Sequence, residues 1–228
     1  MAFIKFVNLT KEYSEGSKVL DNVSFEIEKG EFVFLVGKSG AGKSTLIKIL
    51  IREIFPTSGD VYFKDIDVSS LTSDQLPEHR RDIGVIFQDF KLLESRTVYE
   101  NVAISMEVVN SKDSEIKAVV SNILKLVDLL DKKNSYPSEL SGGEKQRVAI
   151  ARALAHEPEI LIADEATGMI DPDSADDILE LLVKINDLGT TVIMSTHDER
   201  IVDQMSRRVI RLDKGKVTSD KMGGKYRE

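Results

Sequence analysis

The hydrophobic positions of this 228-residue chain fall into short blocks whose periodicity changes along the sequence. Phe32–Val36 is an unbroken apolar, β-rich run bounded by Gly30 and Gly37, which predicts a buried strand. The helical residues "KSTLIKILIRE" follow at once. "SGDVYFKDIDVSS" alternates at period two and predicts an exposed β ribbon, and "RDIGVIFQ" predicts a second buried strand.

From about Thr97 the character becomes helical. Thr97 and Glu100 stand at capping-box spacing at the head of "TVYENVAISMEVV". Ile116, Val119, Val120, Ile123, Leu124 and Val127 then share one helical face. Val148, Ala151, Leu154 and Ala155 do the same after "LSGGE". "EILIADE" returns to strand. Asp171 to Leu188 predicts a helix with Pro172 in its first turn, Ile178, Leu181, Leu182 and Ile185 inward, and Gly189 as its stop. "TTVIMSTH" is strand, and "RRVIRLDKGKV" predicts a hairpin around Lys214 and Gly215. The alternation predicts an α/β fold: a mostly parallel sheet flanked by helices, after a β-rich start. One domain is expected over 1–228, with a core at about 1–87 and 158–228 and a helical lobe at about 88–157.

Composition narrows the chemistry. There are no cysteines, so disulfides and thiolate metal sites are excluded. The formal net charge of −8 argues against a protein that works by gripping nucleic-acid backbone, and no such partner is expected. "MAFIKFVNLTKEY" lacks a signal-peptide core, and no apolar run approaches the roughly 20 residues of a membrane helix.

"GKSGAGKS" satisfies G-x-x-x-x-G-K-[ST] with Gly37, Gly42, Lys43 and Ser44, between strand and helix as that phosphate loop requires. A random chain of this length matches it on the order of 1% of the time at average glycine usage. Backbone N–H groups through Ser39, Gly40 and Ala41 can curl around phosphate oxygens at the helix N-terminus. Lys43 supplies charge to the outer phosphates, Ser44 can ligate Mg²⁺, and Thr45 can reach an inner phosphate. The glycine order is wrong for a dinucleotide fold, which disfavours hydride transfer.

"ILIADE" ends a predicted buried strand in two acids. Asp164 would be costly to bury unpaired, and a Mg²⁺ shared with Ser44 gives it a partner. Glu165 is then placed to polarise the water that attacks the outer phosphate. A second anion-binding helix start follows from Ser141, Gly142 and Gly143 in "LSGGEKQR". No N-K-x-D guanine reader occurs. Two such loops in one chain suggest that the second serves a nucleotide held by another copy.

Here "LSGGEKQRVAIARAL" resembles the signature of ATP-binding cassette (ABC) ATPases. The likeness runs over essentially the whole chain. It implies the P-loop fold with an N-terminal antiparallel β subdomain and an inserted helical subdomain, acting as an ATPase on ATP with Mg²⁺. By that resemblance Tyr13 stacks on adenine, Gln88 touches Mg²⁺ and the membrane partner, Asp171 faces the other subunit, and His197 contacts the outer phosphate. Lys43, Ser44, Gln88, Asp164, Glu165 and His197 of one copy would meet Ser141, Gly142, Gly143 and Glu144 of the other in a homodimer. His79 and His156 match nothing in the pattern and read as surface or structural, and "DPDSADD" reads as a helix-start charge cluster.

"RRDIGVIFQDFKLLESRTVYENVAISMEV" and "REIFPTSG" are most similar to the cell-division cassettes of that family. That likeness implies a cytoplasmic subunit on the inner face of the cell membrane, docked on an integral membrane protein and acting indirectly on peptidoglycan hydrolases. The docking groove is expected around Gln88 to Leu93. Lipoprotein-releasing and macrolide-efflux cassettes share much of the pattern. The rivals are a soluble ABC ATPase working on nucleic acid or ribosomes, a nucleotide-gated adaptor with little hydrolysis, and a solute-transporter cassette. Ala166, Met169, Ile170 and Glu94 depart from the usual pattern and are expected to alter the exit beside Glu165 without removing a catalytic group.

Overall fold

The computed structural model describes residues 2–14 and 16–227. Strands β1 (Ile4–Ser14) and β2 (Ser17–Ile27) pair antiparallel, and β3 (Phe32–Val36) then leaves for a second sheet. Helix α1 (Lys43–Leu50) follows, and β4 (Ser58–Phe63) and β5 (Ile66–Asp67) return to the first sheet, giving the order β2-β1-β4-β5. Val61 and Phe63 of β4 are buried, so the expected exposed ribbon is in fact one-sided. Its period-two pattern put one face inward, as pairing with β1 requires.

Helix α2 (Leu76–Arg81) and strand β6 (Ile83–Ile86) precede three helices, α3 (Val98–Glu107), α4 (Asp113–Leu126) and α5 (Gly142–Leu154). The capping box of Thr97 and Glu100 heads α3, with each side chain bonded to the other's backbone N–H. Strand β7 (Ile160–Asp164), helix α6 (Pro172–Asp187), strand β8 (Thr191–Thr196), helix α7 (Glu199–Met205) and the hairpin β9 (Arg208–Asp213) to β10 (Lys216–Lys221) complete the chain. The second sheet has the order β10-β9-β3-β8-β7-β6 and is parallel except for β10.

The central strand β3 separates two cores. Phe32, Phe34 and Val36 point toward α3 to α7, while Val33 and Leu35 point toward α1 and the antiparallel sheet. Burial on both faces explains why β3 reads as a continuous apolar run and not as an alternating one. The β9–β10 turn closes against the phosphate loop: the Gly215 N–H donates to Ala41 O, and the Asp21 N–H to Gly215 O.

Candidate functional site

The phosphate loop lies at the C-terminal edge of β3, where open α/β sheets place their ligands. Lys38, Ser39, Gly40 and Ser44 are exposed, while Ala41, Gly42, Lys43 and Thr45 are buried beneath them. Gly37 and Gly42 are required by their surroundings. A Cβ on Gly37 would lie 2.3 Å from Leu212 O, and Gly42 combines a φ of 107° with a would-be Cβ 2.6 Å from Leu20. Lys43 is 4% exposed, and its ammonium donates to Gly37 O at 2.8 Å, curled back over the loop.

The acids at the end of β7 sit across from it. Asp164 Oδ1 accepts from the Ser195 hydroxyl at 2.5 Å, so β8 supplies a partner that sequence reasoning missed. Glu165 adopts a φ of 52°, a left-handed conformation uncommon for a residue with a side chain. Its N–H donates to Ser195 Oγ at 3.2 Å and Ser195 O at 3.1 Å, which pins the turn. Glu165 Oε1 lies 3.7 Å from Lys43 Nζ, and Oε2 lies 3.6 Å from His197 Nδ1. The half-buried carboxylate is thus suspended between the loop lysine and an exposed histidine at the end of β8. Gln88 is exposed beyond β6 and borders the same turn: a Cβ on Gly168 would meet its amide nitrogen at 3.3 Å.

The helix start at 141–144 does not join this group by any hydrogen bond or ion pair among the described residues. Ser141 caps α5 reciprocally with Glu144, and Glu144 also pairs with Lys132. Lys132 and the Ser141 backbone hold the Glu144 carboxyl below its usual range. The Glu144 carboxylate is bonded within its own chain by this cap and this ion pair. A Cβ on Gly143 would lie 2.7 Å from Ser174 Oγ, and one on Gly142 would lie 3.3 Å from Ile170. Both glycines therefore let the first turn of α5 press against residues 169–174. Asp171 is exposed and caps α6, accepting from the Ser174 N–H at 2.9 Å and hydroxyl at 2.6 Å, which lowers its carboxyl.

Residues 20–168 match the ABC transporter family. The chain belongs to the ABC transporter family. It is 47% identical to the cell division ATP-binding protein FtsE of Mycobacterium tuberculosis over 96% of both chains. It is 45% identical to the FtsE of Bacillus subtilis over 98% of both. The methionine import ATP-binding protein MetN of Carboxydothermus hydrogenoformans is also 45% identical, over 96% of this chain and 66% of that protein. Among solved structures, the dimeric cassette MJ0796 bound to ADP and Pi after hydrolysis superposes with a TM-score of 0.85 at 38% identity, over 99% of each chain. CbiO1 from Clostridium perfringens, part of the transporter complex cbiONQ, gives 0.90 at 32% identity over 97% and 89%.

The cassette is an ATPase, and the loop, the two acids and His197 lie together at the C-terminal ends of β3, β7 and β8. Tyr13 is 59% exposed on β1, with Lys11 Nζ over its ring 5.2 Å from the centre. His79 is buried, and its Nε2 bonds Leu50 O at 2.7 Å, a structural clasp on the end of α1. No group of three or more metal-binding carboxylates and histidines exists among the described residues. A cation here would have to share phosphate oxygens and water with few protein ligands, the habit of Mg²⁺. Ala166 is buried, and Met169 and Ile170 lie on the strip that receives Gly142.

Proposed function

We propose that two copies of this cassette bind two ATP molecules head to tail and that closure moves a membrane partner. Each copy offers half a site. The phosphate loop is open through Lys38–Gly40 and Ser44, while Ser141 and Asp171 face outward from helix starts whose side-chain partners lie in their own chain. That division of exposed groups carries the reading.

Lys43 would turn from Gly37 O to the outer phosphates, Thr45 would reach an inner phosphate, and Tyr13 would stack on the base. Glu165 would orient the attacking water, held by Lys43 and His197. Ser44, Gln88 and Asp164 would hold Mg²⁺, which would neutralise charge on the phosphate oxygens. Ser141, Gly142, Gly143 and Glu144 of the second copy, with its Asp171, would close the far side. There Glu144 acts by fixing Ser141 and the helix start, since Lys132 and the cap occupy its carboxylate.

The likeness to FtsE proteins supports a role in a cell-division complex of the FtsE–FtsX type. In it the cassette lies on the cytoplasmic face of the cell membrane, binds an integral membrane protein resembling FtsX, and regulates peptidoglycan hydrolases through it. Residues 88–93 would form the docking segment. Arg152 bonds Phe90 O and Lys91 O, and Asn101 bonds Leu93 N–H and O, so this segment is fastened to α3 and α5. The likeness to MetN proteins supports a solute-import cassette as the second reading, separated by which membrane protein co-purifies.

Glu165→Gln should retain ATP without turnover and elute as a dimer in ATP and Mg²⁺, with the membrane partner present. An ATP-loaded variant that stays monomeric at high concentration overturns the shared site.

A further inference from the structure

His197 stands alone on the surface. It follows β8 directly, and its one ion-pair partner among the described residues is Glu165. Its direction therefore depends on how the next element, α7, is seated. Asp198 caps α7 through the N–H groups of Arg200 and Ile201, and Ile201 and Val202 anchor it in the core. A helix of seven residues has little stability of its own, so its seat rests on tertiary contacts.

The chain's last described residues supply several of those contacts. After β10, Gly224 crosses β9 so closely that a Cβ would touch Val209 Cβ at 3.2 Å. The Tyr226 N–H donates to Asp203 Oδ1 in α7 at 2.8 Å, and Arg227 Nε lies 2.9 Å from Glu199 Oε2, two residues beyond His197. The Tyr226 ring packs on the apolar core, with the Arg211 guanidinium 5.4 Å from its centre. Arg211 Nε and Nη2 are buried without an acceptor among the described residues, so the ring face is the electron-rich surface that this charge has. Burial raises the Tyr226 phenol, consistent with a ring seated against the core.

We infer that Gly223–Arg227 is a strap that seats α7 and thereby aims His197, with Tyr226 as its positioning residue. Arg211 is the peg under the ring, and Asp203 and Glu199 are the two points where the strap grips the helix. The inference rests on the assignment of His197 to the outer phosphate, and the experiment separates the two.

ATP turnover of the full chain is measured for Tyr226→Ala, Tyr226→Phe, Arg227→Ala and His197→Ala, and for Tyr226→Ala combined with His197→Ala. Tyr226→Ala should lower kcat roughly three- to tenfold, the scale of a small misplacement of a reacting group, with KM for ATP little changed. Tyr226→Phe should restore kcat, because the ring and backbone carry the contacts. Exposed Arg227→Ala, which poses no threat to folding, should give a smaller loss of the same kind. In the His197→Ala background Tyr226→Ala should cost nothing further, a non-additivity that general destabilisation would not produce. An unchanged kcat in Tyr226→Ala, or additive losses in the double variant, overturns the strap while leaving His197 in place. A silent His197→Ala overturns both.

Discussion

Gly143→Ala isolates what the helix start at 141–144 needs within its own chain. The new Cβ would lie 2.7 Å from Ser174 Oγ and 2.9 Å from Ser174 Cβ, against an ordinary contact of 3.4 Å or more. The hydroxyl can rotate away, but only by giving up its 2.6 Å bond to Asp171, worth about 1 kcal/mol. The Ser174 Cβ cannot rotate, so α5 and α6 must separate by about 0.5 Å, with overpacking strain of about 1–3 kcal/mol. Alanine returns about 0.5–1 kcal/mol of helix propensity. The balance is a loss of about 1–3 kcal/mol, which lowers Tm by about 2–12 °C for a chain of this size. Turnover should fall about tenfold, because a shift of about half an ångström displaces Ser141 from the site it completes. The suppressor Ser174→Gly removes both clashing atoms and should restore most of the Tm and the turnover. Thermal unfolding without nucleotide and steady-state ATPase read the two quantities. A double variant that regains Tm but not turnover would show that the Cβ meets something outside its own chain, and the packing account would fail.

Two further outcomes follow from the polar clasps. Burial holds the His79 imidazole below its ordinary range, so the unfolded chain takes up that proton first as pH falls, and stability present above the ordinary histidine range is lost below it. Tm should therefore drop between about pH 7 and pH 5; His79→Gln, which keeps a donor for Leu50 O, should flatten that drop, and an equal slope in both chains refutes it. Arg208 joins β9 to Glu31 at 2.9 Å and to Asp220 at 2.7 Å, so Arg208→Met should cost about 2 kcal/mol in urea unfolding. A loss under about 0.5 kcal/mol, the level of an exposed pair, would refute it.

The phosphate loop and the parallel strands were legible because their causes are local. A run such as Phe32–Val36 is apolar throughout only if both faces are covered, and Gly37 beside it is forced by a close backbone contact. The fates of individual side chains were harder to read. Ser141 and Glu144 stand at the same spacing as Thr97 and Glu100, which did read as a capping box, so that signal was available. The neighbouring glycines point toward phosphate as well, while Lys132 and the helix start hold the Glu144 carboxylate within its own chain.

Distance in sequence explains the remaining misses. Asp164 meets Ser195 across 31 residues and His79 meets Leu50 across 29, pairings that no local period encodes. The same holds for Arg211, which lies mid-strand on β9 and reads as an ordinary charged residue until Tyr226 is folded over it. A sequence pattern names the groups that can do chemistry, because reactive side-chain types and their backbone settings are few. It does not say which of them are free to do it, since a carboxylate that caps a helix and one that orients water are the same residue until their partners are known. Here Glu165 is the acid left suspended between Lys43 and His197, whereas Glu144 and Asp171 are both spent on helix starts. That difference in commitment separates the group placed for chemistry from the two that shape the surface beside it.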